Sequence, residues 1–256
     1  MILALDIGNS NIKVAVFNGD KMINYWRVST NYKYTCDEFG VVFIDFFSHA
    51  GLKIDDINGI IISSVAPTIN YTIEHMCQIY FKKKPMWVVP GMKTGINLKY
   101  ENPKQLGSDR IANAVAAYHI YKGPCIFIDF GTATTFGAID NNGSFIGGCI
   151  CPGIKVASDA LVSGAAKLSR FELVKPKKVI NKTTTTNLQS GTIYGYIGQV
   201  SYLIDKFKAE MKSPDAFVVA TGGMVRLIAE DIKSIDKIDG SLTLKGLKIL
   251  YEKNCG

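Results

Sequence analysis

Two stretches of this chain follow one pattern, and that repeat restricts the folds open to it. The first is Ile2-Leu3-Ala4-Leu5-Asp6-Ile7-Gly8-Asn9-Ser10-Asn11-Ile12-Lys13-Val14-Ala15-Val16-Phe17. The second is Phe127-Ile128-Asp129-Phe130-Gly131-Thr132-Ala133-Thr134-Thr135-Phe136. In each, an apolar run ends in Asp-x-Gly, polar residues make a short turn, and a second apolar run follows. Asp129 lies 123 positions after Asp6. Asn18-Gly19 and Asn142-Gly143 are both two-residue hairpin signals, and they lie 124 positions apart. A further strand is expected after each, Met22 to Val28 and Ser144 to Cys151. Two independent landmarks at nearly one offset imply two copies of one α/β unit, each opening with an antiparallel three-strand meander.

The segments between these landmarks fit alternating helices and strands. Thr35 and Glu38 have the spacing of a capping box. Phe39, Val42, Phe43, Phe46, Phe47 and Ala50 then recur at helical spacing. Gly59 to Ile62 reads as a buried strand ending in Ser63-Ser64-Val65-Ala66-Pro67. A helix with Ile69, Ile73, Met76, Cys77 and Tyr80 inward comes next, then a strand from Met86 to Val89. In the second half, Pro152-Gly153 opens a helix carrying Ala157, Ala160, Leu161, Ala165 and Leu168. Thr183 to Asn187 reads as a polar linker. A long helix follows, burying Ile193, Tyr196, Ile197, Val200, Leu203, Ile204 and Phe207. Gly191 and Gly195 lie one turn apart there, and are either a close-packing face, between subunits for example, or a tolerated pair. Ala216 to Ala220 reads as a strand ending in Thr221-Gly222-Gly223, and the last helix includes Leu244, Leu247 and Leu250. The expected domains are residues 1–115 and 116–256.

Composition narrows the class. The chain is 47% hydrophobic and 20% charged, a globular profile. Its formal net charge of +7 comes from scattered lysines, with short clusters at Lys82 to Lys84 and at Lys175, Lys177 and Lys178. Neither cluster interleaves aromatics, so solvated surface is the better reading than a nucleic-acid face. A mild positive field favours anionic substrates. The six cysteines form no C-x-x-C pair, which suits reduced thiols in the cytosol. Asp6 breaks the first apolar run too early for a signal peptide, and no run has the length of a membrane span. A cytoplasmic protein bound to neither nucleic acid nor membrane is expected.

The chemistry concentrates in the turns. A lone carboxylate at the end of a buried strand is costly, so Asp6 asks for a partner. The first turn reads as a phosphate cradle: Gly8 lets backbone amides approach an anion, Ser10 and Asn11 donate hydrogen bonds, and Lys13 adds charge. Asp6 is then expected to hold Mg²⁺ through water, because that ion keeps several waters. Two such turns facing each other across a cleft suit phosphoryl transfer. Thr221-Gly222-Gly223 is either a turn for a base or ribose or a plain strand-to-helix connection. Gly147-Gly148 and Pro152-Gly153 either flank the cleft or shape a bend. A further site lies at Asn102-Pro103-Lys104-Gln105-Leu106-Gly107-Ser108-Asp109-Arg110. Ile111, Ala114, Val115 and Tyr118 mark a helix starting there, with Ser108 expected at its N-cap and its free amides open to an anion. Arg110 could clamp a carboxylate. Asp109 either accepts a proton from a substrate hydroxyl or simply suits the helix dipole.

Taken in order, Asp6-Ile7-Gly8-Asn9-Ser10-Asn11, Ser63-Ser64-Val65-Ala66-Pro67, Gly107-Ser108-Asp109-Arg110-Ile111-Ala112-Asn113, Asp129-Phe130-Gly131-Thr132-Ala133-Thr134-Thr135, Gly147-Gly148-Cys149-Ile150-Cys151-Pro152-Gly153 and Ala220-Thr221-Gly222-Gly223 resemble the motifs of type III pantothenate kinase. That family belongs to the actin-like superfamily of sugar and acetate kinases. The resemblance implies an α/β fold of two duplicated ribonuclease-H-like domains, each a mixed central sheet flanked by helices. It implies ATP-dependent phosphorylation of pantothenate to 4'-phosphopantothenate, the first step of coenzyme A synthesis. The implied ATP contacts are Asp6, Ile7, Gly8, Asn9, Ser10, Asn11, Ile12, Lys13 and Thr132. The implied proton acceptor is Asp109, and the implied pantothenate contacts are Tyr100, Gly107, Ser108, Asp109, Arg110 and Thr184. Asp129 would hold a monovalent cation, K⁺ or NH₄⁺, beside Mg²⁺ on the phosphates, and the protein would be a homodimer. The chain departs from the family at Ser10, where threonine is common, at Gly137, where an acid is common, and at Cys149 and Cys151. The competing readings are a related small-molecule kinase or phosphatase with another acceptor and a non-catalytic regulatory protein of the same fold.

Overall fold

The computed structural model describes residues 1–255. The elements in chain order are β1 (Ile2–Ile7), β2 (Asn11–Asn18), β3 (Lys21–Ser29), α1 (Cys36–His49), β4 (Gly59–Ser64), α2 (Asn70–Tyr80), β5 (Met86–Trp87) and α3 (Ser108–Tyr121). The second half follows with β6 (Cys125–Phe130), β7 (Ala133–Ile139), β8 (Phe145–Pro152), α4 (Ile154–Gly164), α5 (Thr184–Glu210), β9 (Phe217–Thr221), α6 (Val225–Ile228), β10 (Lys237–Ile238) and α7 (Leu242–Cys255).

The strands form two five-stranded sheets of orders β3-β2-β1-β4-β5 and β8-β7-β6-β9-β10. These are one topology written twice. The first strand of each set pairs antiparallel with the second and parallel with the fourth. Even the irregularity repeats: a register shift falls after the sixth residue of the second strand, Val16 in β2 and Ala138 in β7. The duplication inferred from the turns is therefore a duplication of the whole sheet.

The chain divides into two compact units. One comprises Met1–Gly95, Glu101–Ala116 and the chain from Leu242 on; the other comprises Ile96–Tyr100 and Ala117–Ser241. This differs from a halving at residue 115, because α7 lies against β1, β2 and β4 of the first unit. Glycines make that packing close. Gly246 of α7 meets the backbone of Ala112, and Gly59 of β4 meets the Tyr251 ring.

In the first unit, Leu3, Leu5, Ile7, Ile12, Val14 and Val16 form one sheet face and pack on Phe39, Phe43 and Phe47 of α1 and Ile73 and Met76 of α2. Side chains alternate along a strand, so Asp6 lies on the opposite face. Helix α1 starts as its sequence requires, with the Thr35–Glu38 capping box formed in both directions. In the second unit, Ile126, Ile128 and Phe130 pack with Ile193, Tyr196, Val200 and Ile204 of α5, which leaves Asp129 on the other face.

Several local expectations shift. The first hairpin turns at Gly19 and Asp20, between paired Asn18 and Lys21, with Gly19 at φ +56°. The second is longer, running from Asp140 to Ser144, with Asp140 accepting the amides of Asn142 and Ser144. Thr183 to Asn187 is no linker: the Thr183 side chain caps α5, and the helix already runs from Thr184. Helix α4 ends at Gly164, before Leu168, and leaves Leu161 46% exposed. No helix among the described residues is long and apolar enough to cross a membrane.

Candidate active site

The first Asp-x-Gly turn is a tight loop of Gly8, Asn9 and Ser10 between β1 and β2. Gly8 N–H donates to the Asn11 carbonyl at 3.0 Å, closing it. Asp6 is buried but not alone. Lys13, its cross-strand partner, places Nζ 3.1 Å from Asp6 Oδ2. That pair answers the cost of burying a carboxylate and commits part of the Lys13 charge inside the protein. Asn9, Ser10 and Asn11 are exposed, whereas the Ile7 and Ile12 side chains lie wholly in the core. Those two isoleucines therefore have only backbone to offer a ligand.

Across β4, Asp6 is paired in register with Ser63. The Ser63 hydroxyl is 3.0 Å from that of Ser108, which donates to the Ser64 carbonyl and accepts from the Ser64 amide, each at 3.0 Å. Ser108 is thus the first residue of α3 and a rivet to the sheet edge, not the N-cap. The rivet puts the start of α3 beside the strand end that carries Asp6. Asp109 Oδ1 accepts the Arg110 amide at 2.8 Å, so one amide of the first turn is already taken. A Cβ at Gly107 would stand 2.5 Å from that oxygen, so a larger residue there would push the carboxylate aside. Arg110 is 6% exposed, so any carboxylate it holds must come to it below the surface.

In the second unit the loop is one residue shorter. Gly131 N–H donates to the Ala133 carbonyl at 3.1 Å, and Thr132 is exposed. Asp129 pairs in register with Thr221 on β9. The next residue, Gly222, has φ +105°, and a Cβ on it would stand 2.5 Å from Asp129 Oδ1 and from the Phe130 amide. Its glycine is demanded by this approach to the Asp129 turn, whatever else binds there. Gly153 likewise backs Thr132: it donates to the Thr132 carbonyl at 3.1 Å, and a Cβ would stand 2.6 Å from the Gly131 carbonyl. Gly137 lies flat on the Phe127 ring, leaving no room for an acidic side chain. Cys149 and Cys151 are half-buried on β8.

Tyr100 stacks on Phe145 at 6.2 Å in the same unit. Thr184, in the first turn of α5, lines a groove of about 560 Å³ with Leu161, Leu168, Leu188, Gly191 and Tyr196. Tyr196 carries the groove wall inward: its hydroxyl bonds Thr134 and the Pro152 carbonyl. Burial is the main cause that raises its pKa. This groove was not legible in the sequence, because its α5 wall includes residues that read as linker.

Residues 2–206 match the family described as type III pantothenate kinase. The chain belongs to this family. Membership makes it a kinase, a nucleotide-binding transferase that uses ATP, ordinarily with Mg²⁺. Solved structures share the fold over nearly their whole length. A conserved Baf-family protein from Campylobacter jejuni is 22% identical, covers 99% of this chain and 98% of its own, and superposes with a TM-score of 0.61. The activator of 2-hydroxyisocaproyl-CoA dehydratase from Clostridium difficile, with bound ADPNP, is 14% identical, covers 98% and 95%, and has a TM-score of 0.53. The ethanolamine utilization protein EutJ from Carboxydothermus hydrogenoformans is 10% identical over 97% and 89%, with a TM-score of 0.54. The fold is the actin-like, ribonuclease-H-like α/β fold, built of two duplicated domains.

The residues can be set against the Mg²⁺ that such kinases ordinarily use. Among the described residues no three acidic, histidine or cysteine side chains gather as a metal cage. A single buried carboxylate, Asp6, suits an ion that arrives on phosphates with its own waters. Around Asp129 the donor set is oxygen: the carboxylate and the Thr221 hydroxyl, which is fully buried and has no hydrogen-bond partner among the described residues. Hard cations take such ligands.

Proposed function

We propose that the protein transfers the terminal phosphoryl group of ATP to the primary hydroxyl of pantothenate, giving 4'-phosphopantothenate for coenzyme A synthesis. One observation carries this reading. In a chain of this family, Asp109 is fixed at a helix start that Ser108 rivets beside the strand end bearing Asp6. Asp109 would accept the hydroxyl proton. The Arg110 amide orients this carboxylate, and where the transition state is loose the alcohol mainly needs orienting. Gly107, Ser108 and Arg110 would hold the acceptor, with Tyr100 and Thr184 as further contacts. Asp6 to Lys13 and Thr132 would bind ATP, Ile7 and Ile12 through backbone alone.

Asp6 would hold Mg²⁺ through water, and Asp129 a K⁺ or NH₄⁺ ion; both ions would neutralise phosphate charge. The chain would act as a cytoplasmic homodimer. Exposed Leu161, Val179, Ile180 and Tyr202, and the open face at Gly191 and Gly195, support an apolar interface on the second unit.

The test is ADP release coupled to a reporter, with and without pantothenate. Pantothenate-dependent release that falls when Na⁺ replaces K⁺ is the expected result. No dependence on pantothenate would reject the acceptor and favour a regulatory role, the kind named for the Baf family of the Campylobacter protein.

A further inference from the structure

Three successive carbonyls of the first loop are bound from one segment. Thr30 Oγ1 donates to the Gly8 carbonyl at 2.6 Å, Tyr32 Oη to the Asn9 carbonyl at 3.2 Å, and the Thr30 amide to the Ser10 carbonyl at 3.0 Å. A peptide unit is planar and trans, so its N–H points opposite to its C=O. With those carbonyls drawn toward residues 30–32, the amides of Asn9, Ser10 and Asn11 point the other way. Consecutive amides aimed to one side form an anion-binding concavity.

The duplicated loop serves as an internal comparison. Gly153, 123 residues after Thr30, follows the third strand of its sheet just as Thr30 follows β3. Its amide makes the matching bond to the last loop carbonyl, Thr132, at 3.1 Å. It has no side chain, and a Cβ would stand 2.8 Å from the Thr132 carbonyl carbon. The backbone tie is therefore common to both copies, and the side-chain ties belong to the first alone.

We propose that Thr30 to Tyr32 form a strap that sets the direction of the phosphate-loop amides, with Thr30 as a positioning residue for the nucleotide. This rests on the kinase reading above and adds residues to it. The strap is specific to the first loop and acts on nucleotide phosphates, not on the acceptor.

Thr30→Val keeps the shape and removes the donor. Calorimetry with Mg²⁺ and ADPNP should show binding weakened about tenfold, the cost of one hydrogen bond to a constrained loop. In turnover, the KM for ATP should rise by a similar factor, with kcat and the KM for pantothenate within about twofold. Thr30→Ser should restore ADPNP affinity. Tyr32→Phe, at a residue 51% exposed and so without risk to folding, should weaken ADPNP about threefold. ADPNP binding by Thr30→Val equal to wild type overturns the proposal; if Thr30→Val does not fold, unchanged binding by Tyr32→Phe does so. Because ADPNP binding needs no acceptor, a wild type that binds ADPNP but leaves pantothenate untouched refutes the acceptor and not the strap. A wild type that binds no ADPNP refutes both.

Discussion

Gly246→Ala sets two effects against each other. Gly246 sits inside α7, where alanine is the better helix former by about 1 kcal/mol. Judged as an isolated helix, the substitution stabilises. In the fold, the new Cβ would stand 2.6 Å from the carbonyl carbon and 3.1 Å from the Cα of Ala112, and would overlap the carbonyl oxygen. Carbon contacts normally lie at about 3.5–4.0 Å, so α7 and α3 must part by roughly 1 Å. Overpacking costs about 1–3 kcal/mol, and the upper end applies because the neighbour is backbone, which cannot rotate away. The net effect is a loss of about 2 kcal/mol, or a urea midpoint lower by about 1 M. Both tryptophans, Trp26 and Trp87, lie in the first unit, so their fluorescence follows the unit that α7 joins. The same change at Gly198 on α5, where nothing lies within 4 Å of the new carbon, should stabilise by up to about 1 kcal/mol. A Gly246→Ala midpoint equal to or above wild type would refute the close α7–α3 packing and the placement of α7 in the first unit.

Asp109→Asn should keep an acceptor for the Arg110 amide and remove the base, lowering turnover by about 10²–10⁴ while circular dichroism is unchanged. Full activity would remove Asp109 from the chemistry. Thr35→Ala should cost about 1 kcal/mol by opening the capping box of α1. Trp26, stacked 5.4 Å from Phe46 of that helix, should report the earlier unfolding in urea, and Thr35→Ser should recover most of it. Burial pushes the thiols of Cys77 and Cys125 up to about 12, so both should resist iodoacetamide at pH 8 while exposed Cys255 reacts. A raised thiol pKa means that the folded state keeps protons the unfolded chain releases. Its contribution to stability is therefore whole below the ordinary thiol value of 9.0 and lost as pH climbs toward about 12, which urea titrations across that range would show.

Residue order alone determined the duplicated unit, most of its strands and the α1 cap. These rest on local physics: a strand alternates or buries by its own pattern, and a hydroxyl three residues before a glutamate finds the helix amides itself. The Asp-x-Gly turns and the Gly-Ser-Asp-Arg stretch were legible for the same reason, since each packs its chemistry into a few neighbouring residues. Tertiary structure decided what depends on partners far along the chain. Lys13 turns out to neutralise Asp6, Ser108 to rivet rather than cap, Arg110 to be buried, and Gly222 to serve the Asp129 turn. Thr30 and Tyr32 gave no motif, because their roles exist only once β3 lies beside β2. Helix α7 follows the second unit in the chain but joins the first, because its leucines find their apolar surface on β1, β2 and β4, and burial is set by proximity in space rather than order in sequence.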